Sequence, residues 1–451
     1  MTSVHPINRL PPELLAELFI HCLSTTGFSR ARTFDAPMNV SSVCSSWHEI
    51  AISTPQLWSS IYRGHFDRDP HFAAILEQWV PRSGSYGFSF SIQKLYHQNW
   101  EGTMDLKAAL HVLAKYSERW VVMDVLTEPW SFSILTSVIP HKTPALRRIR
   151  ISNYDTDHPC HFDLFNTSTP LNHLTHLSIT AHMSFPTGRP LPNLRNLCMY
   201  TVDTVDIMGC LSQCPGIEEL VIRFDDWSYQ SVPVVDIYLP HLRTFKMILD
   251  SNADEELDVN VVQLLENLRV PCLKTFFINI EREPGDGPIW TGLQSFLRRL
   301  NNTVESLEMW TCMSTLLEFE NCLELLPGLK YLAFPYALIE DEVAPELFSR
   351  SRSSALCPQL NTLGIVKRHP YAINPLLSAL HSRLVETADA VGQASDPPGD
   401  FTVVVWEDAA QFVRQYADLF PRINFQDSED WISRRRHDLY TDVGEHVWDI
   451  C

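Results

Sequence analysis

Three clusters in the sequence carry residue types that could do chemistry. His158-Pro159-Cys160-His161 offers metal-binding side chains, Asp225-Asp226 a pair of adjacent carboxylates, and Asp254-Glu255-Glu256 three acids in a row. A structural zinc site needs a second ligand pair at comparable spacing. The His-Cys-His run has none, so it reads as a surface loop. Glycoside hydrolysis needs an acid and a base opposed across the scissile bond. Neighbouring acids in a chain of net charge -19 read instead as solvated loop. There is no phosphate loop, no Gly-x-Ser-x-Gly elbow and no His-Glu-x-x-His. Sixteen glycines in 451 residues also leave few places where backbone could cradle a phosphate. The eleven cysteines form no C-x-x-C pair. Cys22, Cys44, Cys198 and Cys272 stand in apolar contexts and read as reduced, small buried hydrophobes. The expectation is a chain with no catalytic residue, no metal and no cofactor.

Composition narrows the partners. Apolar residues at 45% and charged residues at 20% describe a folded protein. The net charge repels phosphate backbones and anionic lipid, and Arg434-Arg435-Arg436 is too small a cluster to reverse it, which argues against nucleic acid. Met1–Arg9 has no apolar leader, and no stretch approaches the roughly 20 apolar residues of a membrane span. A cytoplasmic or nuclear protein with no membrane partner is expected, so the sequons at Asn39, Asn166 and Asn301 carry no weight.

The elements that would position any site are dominated by one recurrent phrase, Pro-x-Leu-x-x-Leu-x-Ile. Its nine copies are Leu146/Ile149/Ile151, Leu174/Leu177/Ile179, Leu194/Leu197/Met199, Ile217/Leu220/Ile222, Leu242/Phe245/Met247, Leu273/Phe276/Ile278, Val304/Leu307/Met309, Leu329/Leu332/Phe334 and Leu360/Leu363/Ile365. A weaker copy is Trp120/Met123/Val125. The alternating pair that ends each phrase is the period-2 mark of a short strand with one buried face. Seven copies carry a proline two residues ahead: Pro144, Pro192, Pro215, Pro240, Pro271, Pro327 and Pro358. Proline donates no ladder hydrogen bond and suits the step before a strand. Between the phrases lie helical spacings such as Leu293-Phe296-Leu297-Leu300. Strand and helix repeated in one register build a parallel sheet with helices outside it. The phrase and its spacing resemble the leucine-rich-repeat family, without the asparagine that usually follows the strand.

Residues 7–62 differ in pattern. Leu10-Pro11-Pro12-Glu13 leads into an apolar helical stripe, Leu14, Leu15, Leu18, Phe19 and Cys22, with proline and glutamate suited to a first turn. Val40, Val43, Cys44, Trp47 and Ile50-Ala51 follow, and the segment closes on Pro55-Gln56-Leu57-Trp58. The Leu-Pro-x-Glu-Leu-Leu opening, the Val-Cys-x-x-Trp centre and the Pro-x-Leu-Trp close resemble the F-box motif. With Trp79-Val80-Pro81-Arg82-Ser83-Gly84 behind them, they look like the F-box-like families of fungi. The polar residues 24–35 lengthen the connection between the first two helices.

The fold expected is α/β, a small N-terminal helical F-box module followed by an irregular leucine-rich-repeat-like solenoid, with a parallel sheet on its concave face and helices outside. The boundaries expected are 1–62 for the module, 63–130 for a linker helix and first weak repeats, 131–366 for the solenoid, and 367–451 for the last repeat and cap. In that last segment Phe401–Trp406 reads as a strand and Ala409–Phe420 as a helix. The resemblance implies the substrate-recognition subunit of a Skp-cullin-F-box-type ubiquitin ligase, acting in ubiquitin-dependent protein degradation. A Skp-type adaptor, and through it cullin, would be held by Leu10, Pro11, Glu13, Leu14, Leu15, Phe19, Val43 and Trp47. Strand alternation puts Tyr200, Arg223, Lys246, Phe277, Trp310 and Tyr331 on the outward sheet face, a target-protein site in which adjacent aromatics are the anchors. A repeat scaffold without ubiquitin chemistry shares the same solenoid, and there residues 7–62 would cap its first repeat. An enzyme with an unrecognised site is the third class.

Overall fold

In a computed structural model the described residues are 6–24, 27–64, 71–93, 101–127, 129–153, 171–180, 190–200, 204–224, 236–249, 255–280, 289–300, 303–311, 316–335, 356–366, 376–382, 401–406, 419–420 and 423–427. The chain is mixed α/β, built on parallel strands. It divides into two compact units, one reaching Met199 and the other starting at Tyr200.

The first unit opens with helices α1 (Pro12–His21), α2 (Met38–Ser41) and α3 (Ser45–Ile52). Its strands are β1 (Ser60–Arg63), β2 (Phe88–Gln93), β3 (Trp120–Thr127), β4 (Arg148–Asn153), β5 (His176–Thr180) and β6 (Asn196–Tyr200), side by side in chain order. Helices α4 (Phe72–Arg82), α5 (Glu101–Ala114) and α6 (Pro129–Lys142) connect successive strands, the right length of crossover for parallel pairing. On α4 the buried residues Phe72, Leu76, Trp79 and Val80 fall on one stripe of helical period.

The second unit starts with α7 (Thr204–Gln213) and β7 (Glu219–Phe224), then a short strand β8 (Ile237–Tyr238) and β9 (Thr244–Leu249). Next come α8 (Glu255–Asn267), the short β10 (Leu268–Arg269) paired with β8, and β11 (Thr275–Ile280). Helices α9 (Ile289–Arg299) and α10 (Leu316–Glu324) bracket β12 (Ser306–Thr311), and β13 (Tyr331–Pro335), β14 (Thr362–Val366), β15 (Phe401–Trp406) and β16 (Ile423–Asp427) follow. Its main sheet runs β7-β9-β11-β12-β13-β14-β15-β16, with parallel pairing between neighbours.

All nine copies of the phrase coincide with strands, β4–β7, β9 and β11–β14, and the weak copy with β3. The prolines have a more specific job than introducing a strand. The first apolar residue of a copy donates its N–H to the carbonyl three residues back, as from Leu146 to Thr143, Leu194 to Leu191, Leu242 to Leu239 and Leu329 to Leu326, at 3.1 to 3.3 Å. Proline is therefore the second residue of a β-turn, where its fixed φ is preferred. The next residue donates to the corresponding residue of the preceding repeat: Thr175 to Arg147 and Arg195 to Thr175 in one unit, and Lys274 to Arg243, Glu305 to Lys274 and Lys330 to Glu305 in the other, at 2.8 to 2.9 Å. Each repeat is thereby placed in register on its predecessor before its strand begins.

The apolar positions of the phrase form the core. Phe245, Phe276 and Phe296 of β9, β11 and α9 meet with ring centroids 5.5 to 6.3 Å apart, and Phe319 of α10 meets Phe334 of β13 at 5.5 Å. Strands β1 and β2 lack the phrase and were not expected from it. The polar connection 24–35 is not a free loop along its length. Ser29 accepts a 2.7 Å hydrogen bond from the Tyr62 N–H, the Arg30 guanidinium lies 4.7 Å from the Tyr62 ring, and Phe28 is buried, so this segment covers the outer edge of β1. The cysteine expectation is corrected in part. Cys22, Cys44 and Cys272 are exposed and Cys198 is half-buried, because each sits at a helix end, in a turn or on the second sheet face, while Cys210, Cys214, Cys322 and Cys357 are buried.

Candidate functional site

The N-terminal helices pack by one face and leave the other to solvent. Leu15 and Phe19 are one helical turn apart on α1 and are 4% and 2% exposed; the Phe19 ring lies 4.8 Å from that of Trp47 on α3. These two were expected on an exposed adaptor surface. They are instead core, because the stripe is wider than one packing face and α3 takes its Leu15/Phe19 side. Leu14 and Leu18, also one turn apart, are turned outward at 53% and 45% exposed. Pro11 and Glu13 are exposed, Leu10 and Trp47 half-buried, and Val43, just ahead of α3, is 60% exposed. Leu18 is the member of this patch that the expected adaptor set omitted; its i+4 spacing from Leu14 was the available signal.

The closing Pro-Gln-Leu-Trp joins these helices to the sheet. Leu57 and Trp58 have no exposed surface, and the Trp58 indole N–H donates to the Ala51 carbonyl at 2.8 Å. Its ring meets Trp79 of α4 edge to face at 4.8 Å and carries the Arg82 guanidinium at 4.5 Å. The Trp-x-x-Arg-Ser-Gly segment is thus a joint and a helix end. Trp79 and Arg82 hold Trp58, and the Ser83 hydroxyl donates to Val80 at 2.7 Å. Gly84 takes the positive φ of +58° that ends α4, a conformation glycine adopts without strain. Arg119 donates to Val80, Ser83 and Gly84, fastening the helix end to the start of β3.

The target-face expectation is corrected. In the second unit the row Val221, Lys246, Phe277, Glu308, Ala333 and Gly364 runs across β7–β14 in register, and every member is buried. Phe277 is 3% and Tyr331 9% exposed. Alternation assigned them to the second sheet face correctly, but they lie along that face instead of standing away from it. Phe277 packs against Ile248 of the neighbouring strand. The Tyr331 hydroxyl sits where a side chain on Gly364 would be, 2.7 Å from such a Cβ. Lys246 is buried at 9% exposed, with its ammonium 3.7 Å from Glu219, and Arg223 is half-buried. For Tyr200 and Trp310 only the backbone is described.

On the same face of the first unit, Ser91, Asp124 and Arg150 stand in one register row. Ser91 Oγ donates to Asp124 Oδ2 at 2.9 Å, and Arg150 Nε lies 3.9 Å from Asp124 Oδ1. Burial raises the Asp124 carboxyl above the usual range, against the pull of Arg150 and the Ser91 hydrogen bond.

The chemical clusters of the sequence, His158–His161, Asp225-Asp226 and Asp254, lie outside the described residues, as do Arg434–Arg436 and most of the expected helix 409–420. Among the described residues no three His, Cys, Asp or Glu side chains converge as a metal site, and no helix is long and apolar enough to cross a membrane. No family model matches the chain, and no curated protein matches it.

Proposed function

We propose that this chain is the target-receiving subunit of a Skp-cullin-F-box-type ubiquitin ligase, docking the adaptor through Pro11, Leu14, Leu18 and Val43 at its N-terminal helices. The observation that carries this reading is the two-sided α1. Leu15 and Phe19 fill the module's own core, while Leu14 and Leu18 present an apolar surface to water, which a helix serving only as a cap has no use for. An apolar helix face with leucine anchors is also what a groove on a partner accepts. The order of motifs supports the same assignment, and the stacking of phrase on phrase supports a leucine-rich-repeat-like solenoid behind it. The target would be held by that repeat body at a surface other than the buried Phe277–Tyr331 row. Co-precipitation with a Skp-type adaptor tests the proposal. Wild type should retain the adaptor, and Leu14→Asp/Leu18→Asp should lose it with an unchanged far-UV spectrum; full retention by the double variant sinks the reading.

A further inference from the structure

Seven large apolar side chains are exposed among the described residues, and four of them, Leu14, Leu18, Phe34 and Val43, fall within residues 14–43. The other three, Tyr86, Tyr238 and Leu419, are scattered singly, as surface hydrophobics normally are. Leu14, Leu18 and Val43 belong to the surface already assigned to the adaptor. Phe34 does not, and at 73% it is the most exposed of the seven.

Phe34 stands in the polar connection that lengthens the N-terminal module, and the chain is pinned on both sides of it. Ahead of it, Phe28 is buried and Ser29 is bonded to β1 twice, its carbonyl accepting from the Tyr62 N–H and its own N–H donating to Ser60 Oγ at 3.2 Å. A turn follows, in which the Asp35 N–H donates to the Arg32 carbonyl at 3.1 Å. Behind it, Ala36 and Val40 are buried, and the Asn39 N–H donates to the Asp35 carbonyl at 3.0 Å. The Asn39 side-chain amide donates to the carbonyl of Phe34 itself at 3.0 Å. A slack loop would fold a phenylalanine back onto the nearest apolar surface. Here the backbone on either side is committed elsewhere, so the ring is held in water.

The Asn39 bond also fixes Phe34 beside α2, and Val43 stands two residues past the end of that helix. Phe34 and Val43 are thus separated by little more than one helical turn and a side chain, on the order of 10–15 Å, within the footprint of an ordinary interface of about 800 Å² per partner. We infer that Phe34 is a further anchor of the adaptor surface, filling an apolar pocket of the Skp-type adaptor beside the groove that takes Leu14 and Leu18. The inference rests on the adaptor reading above. An aromatic ring whose backbone is already held in place loses little freedom on docking, which is the profile of a binding hot spot. The lengthened connection then enlarges the docking surface as well as joining two helices.

The experiment is calorimetric titration of the full chain with a purified Skp-type adaptor, for the wild type, Phe34→Ala, Phe34→Leu, Tyr238→Ala and Leu14→Asp/Leu18→Asp, with a melting temperature for each. Phe34→Ala should weaken binding about tenfold or more with its melting temperature unchanged. Phe34→Leu should keep part of the affinity, and Tyr238→Ala should bind as the wild type does. Undiminished binding by Phe34→Ala, while Leu14→Asp/Leu18→Asp loses the adaptor, overturns this inference and leaves the adaptor reading intact. An equal loss in Tyr238→Ala, or a loss in Phe34→Ala that comes with a lowered melting temperature, overturns it as well. A wild type that does not bind the adaptor removes both.

Discussion

Trp58 and Trp79 meet edge to face with ring centroids 4.8 Å apart, and each indole N–H has a backbone acceptor, Ala51 at 2.8 Å for Trp58 and Ser60 at 3.1 Å for Trp79. The contact joins the Pro-x-Leu-Trp segment to α4, so the apolar patch of the N-terminal helices is carried on a rigid mount. Trp58→Ala should cost about 3–5 kcal/mol in denaturant unfolding, as expected for a fully buried tryptophan. A loss under 1 kcal/mol would mean that the joint bears no load.

The two sides of α1 should separate stability from binding. Phe19→Ala should cost about 3–5 kcal/mol, whereas Leu14→Ala should stay within about 0.5 kcal/mol because its side chain is half in water already. Equal destabilisation by both substitutions, measured by urea unfolding, would contradict the packing of α1 on α3.

Phe277 belongs to the interior, and its variants should behave accordingly. Phe277→Ala should destabilise by about 3–5 kcal/mol. Gly364→Ala, which drives a methyl group into the Tyr331 hydroxyl and Ala333, should cost about 1–3 kcal/mol. Thermal unfolding of the two variants at matched concentration checks both; a wild-type melting temperature for Phe277→Ala would return this residue to the surface.

Asp124 gives a pH signature. Its carboxyl is raised in the folded chain, so the folded state holds the proton more tightly than the unfolded one. Stability contributed by this group is therefore greatest at low pH and falls as pH climbs from the unfolded value, near 3.9, towards the raised one. Asp124→Asn should flatten that decline, each unit of raised pKa being worth about 1.4 kcal/mol. Melting temperatures of wild type and variant between pH 4 and 8 should converge at the acid end; parallel curves would show that Asp124 does not titrate in this window.

Glu305 behaves in the opposite sense. The two lysine hydrogen bonds, from Lys274 and Lys330, hold its carboxyl down to about 2, so its contribution is present above the unfolded pKa and is lost as pH falls from there through the lowered, folded value. The carboxylate is exposed, and salt screens such pairs. Glu305→Gln should lower the melting temperature slightly at low ionic strength and leave it unchanged in about 1 M salt. A salt-independent drop would point to packing.

The strands were readable because the phrase encodes a turn, a register contact and an alternating pair within eight residues. Leu146 closes the turn, Arg147 makes the register contact and Ile149 with Ile151 is the alternating pair, and the copies repeat it. β1 and β2 were missed because Ile61 and Phe90 sit in strands without the turn signal. Alternation also placed Phe277 and Tyr331 on the right face of their strands, yet it says nothing of whether a face is covered. On α1 the helical period picked out Leu14, Leu15, Leu18 and Phe19 together, and only the position of Trp47 decides which pair is inside. The Arg147–Thr175–Arg195 ladder could not be seen at all until the turn hydrogen bonds aligned residues from three separate repeats.

In the main sheets, each described pairing joins a strand to the next one along the chain, with at most a two-residue strand between them. Pairing partners are therefore separated by a single crossover and not by half the chain. During synthesis at roughly 5–20 residues per second, each strand can dock on its predecessor within seconds of leaving the ribosome. Helices α1 and α3, Trp58, Trp79 and Arg82 all precede the strands of the repeated phrase, so the apolar face with Leu14 and Leu18 can take shape before the repeats that follow it are made.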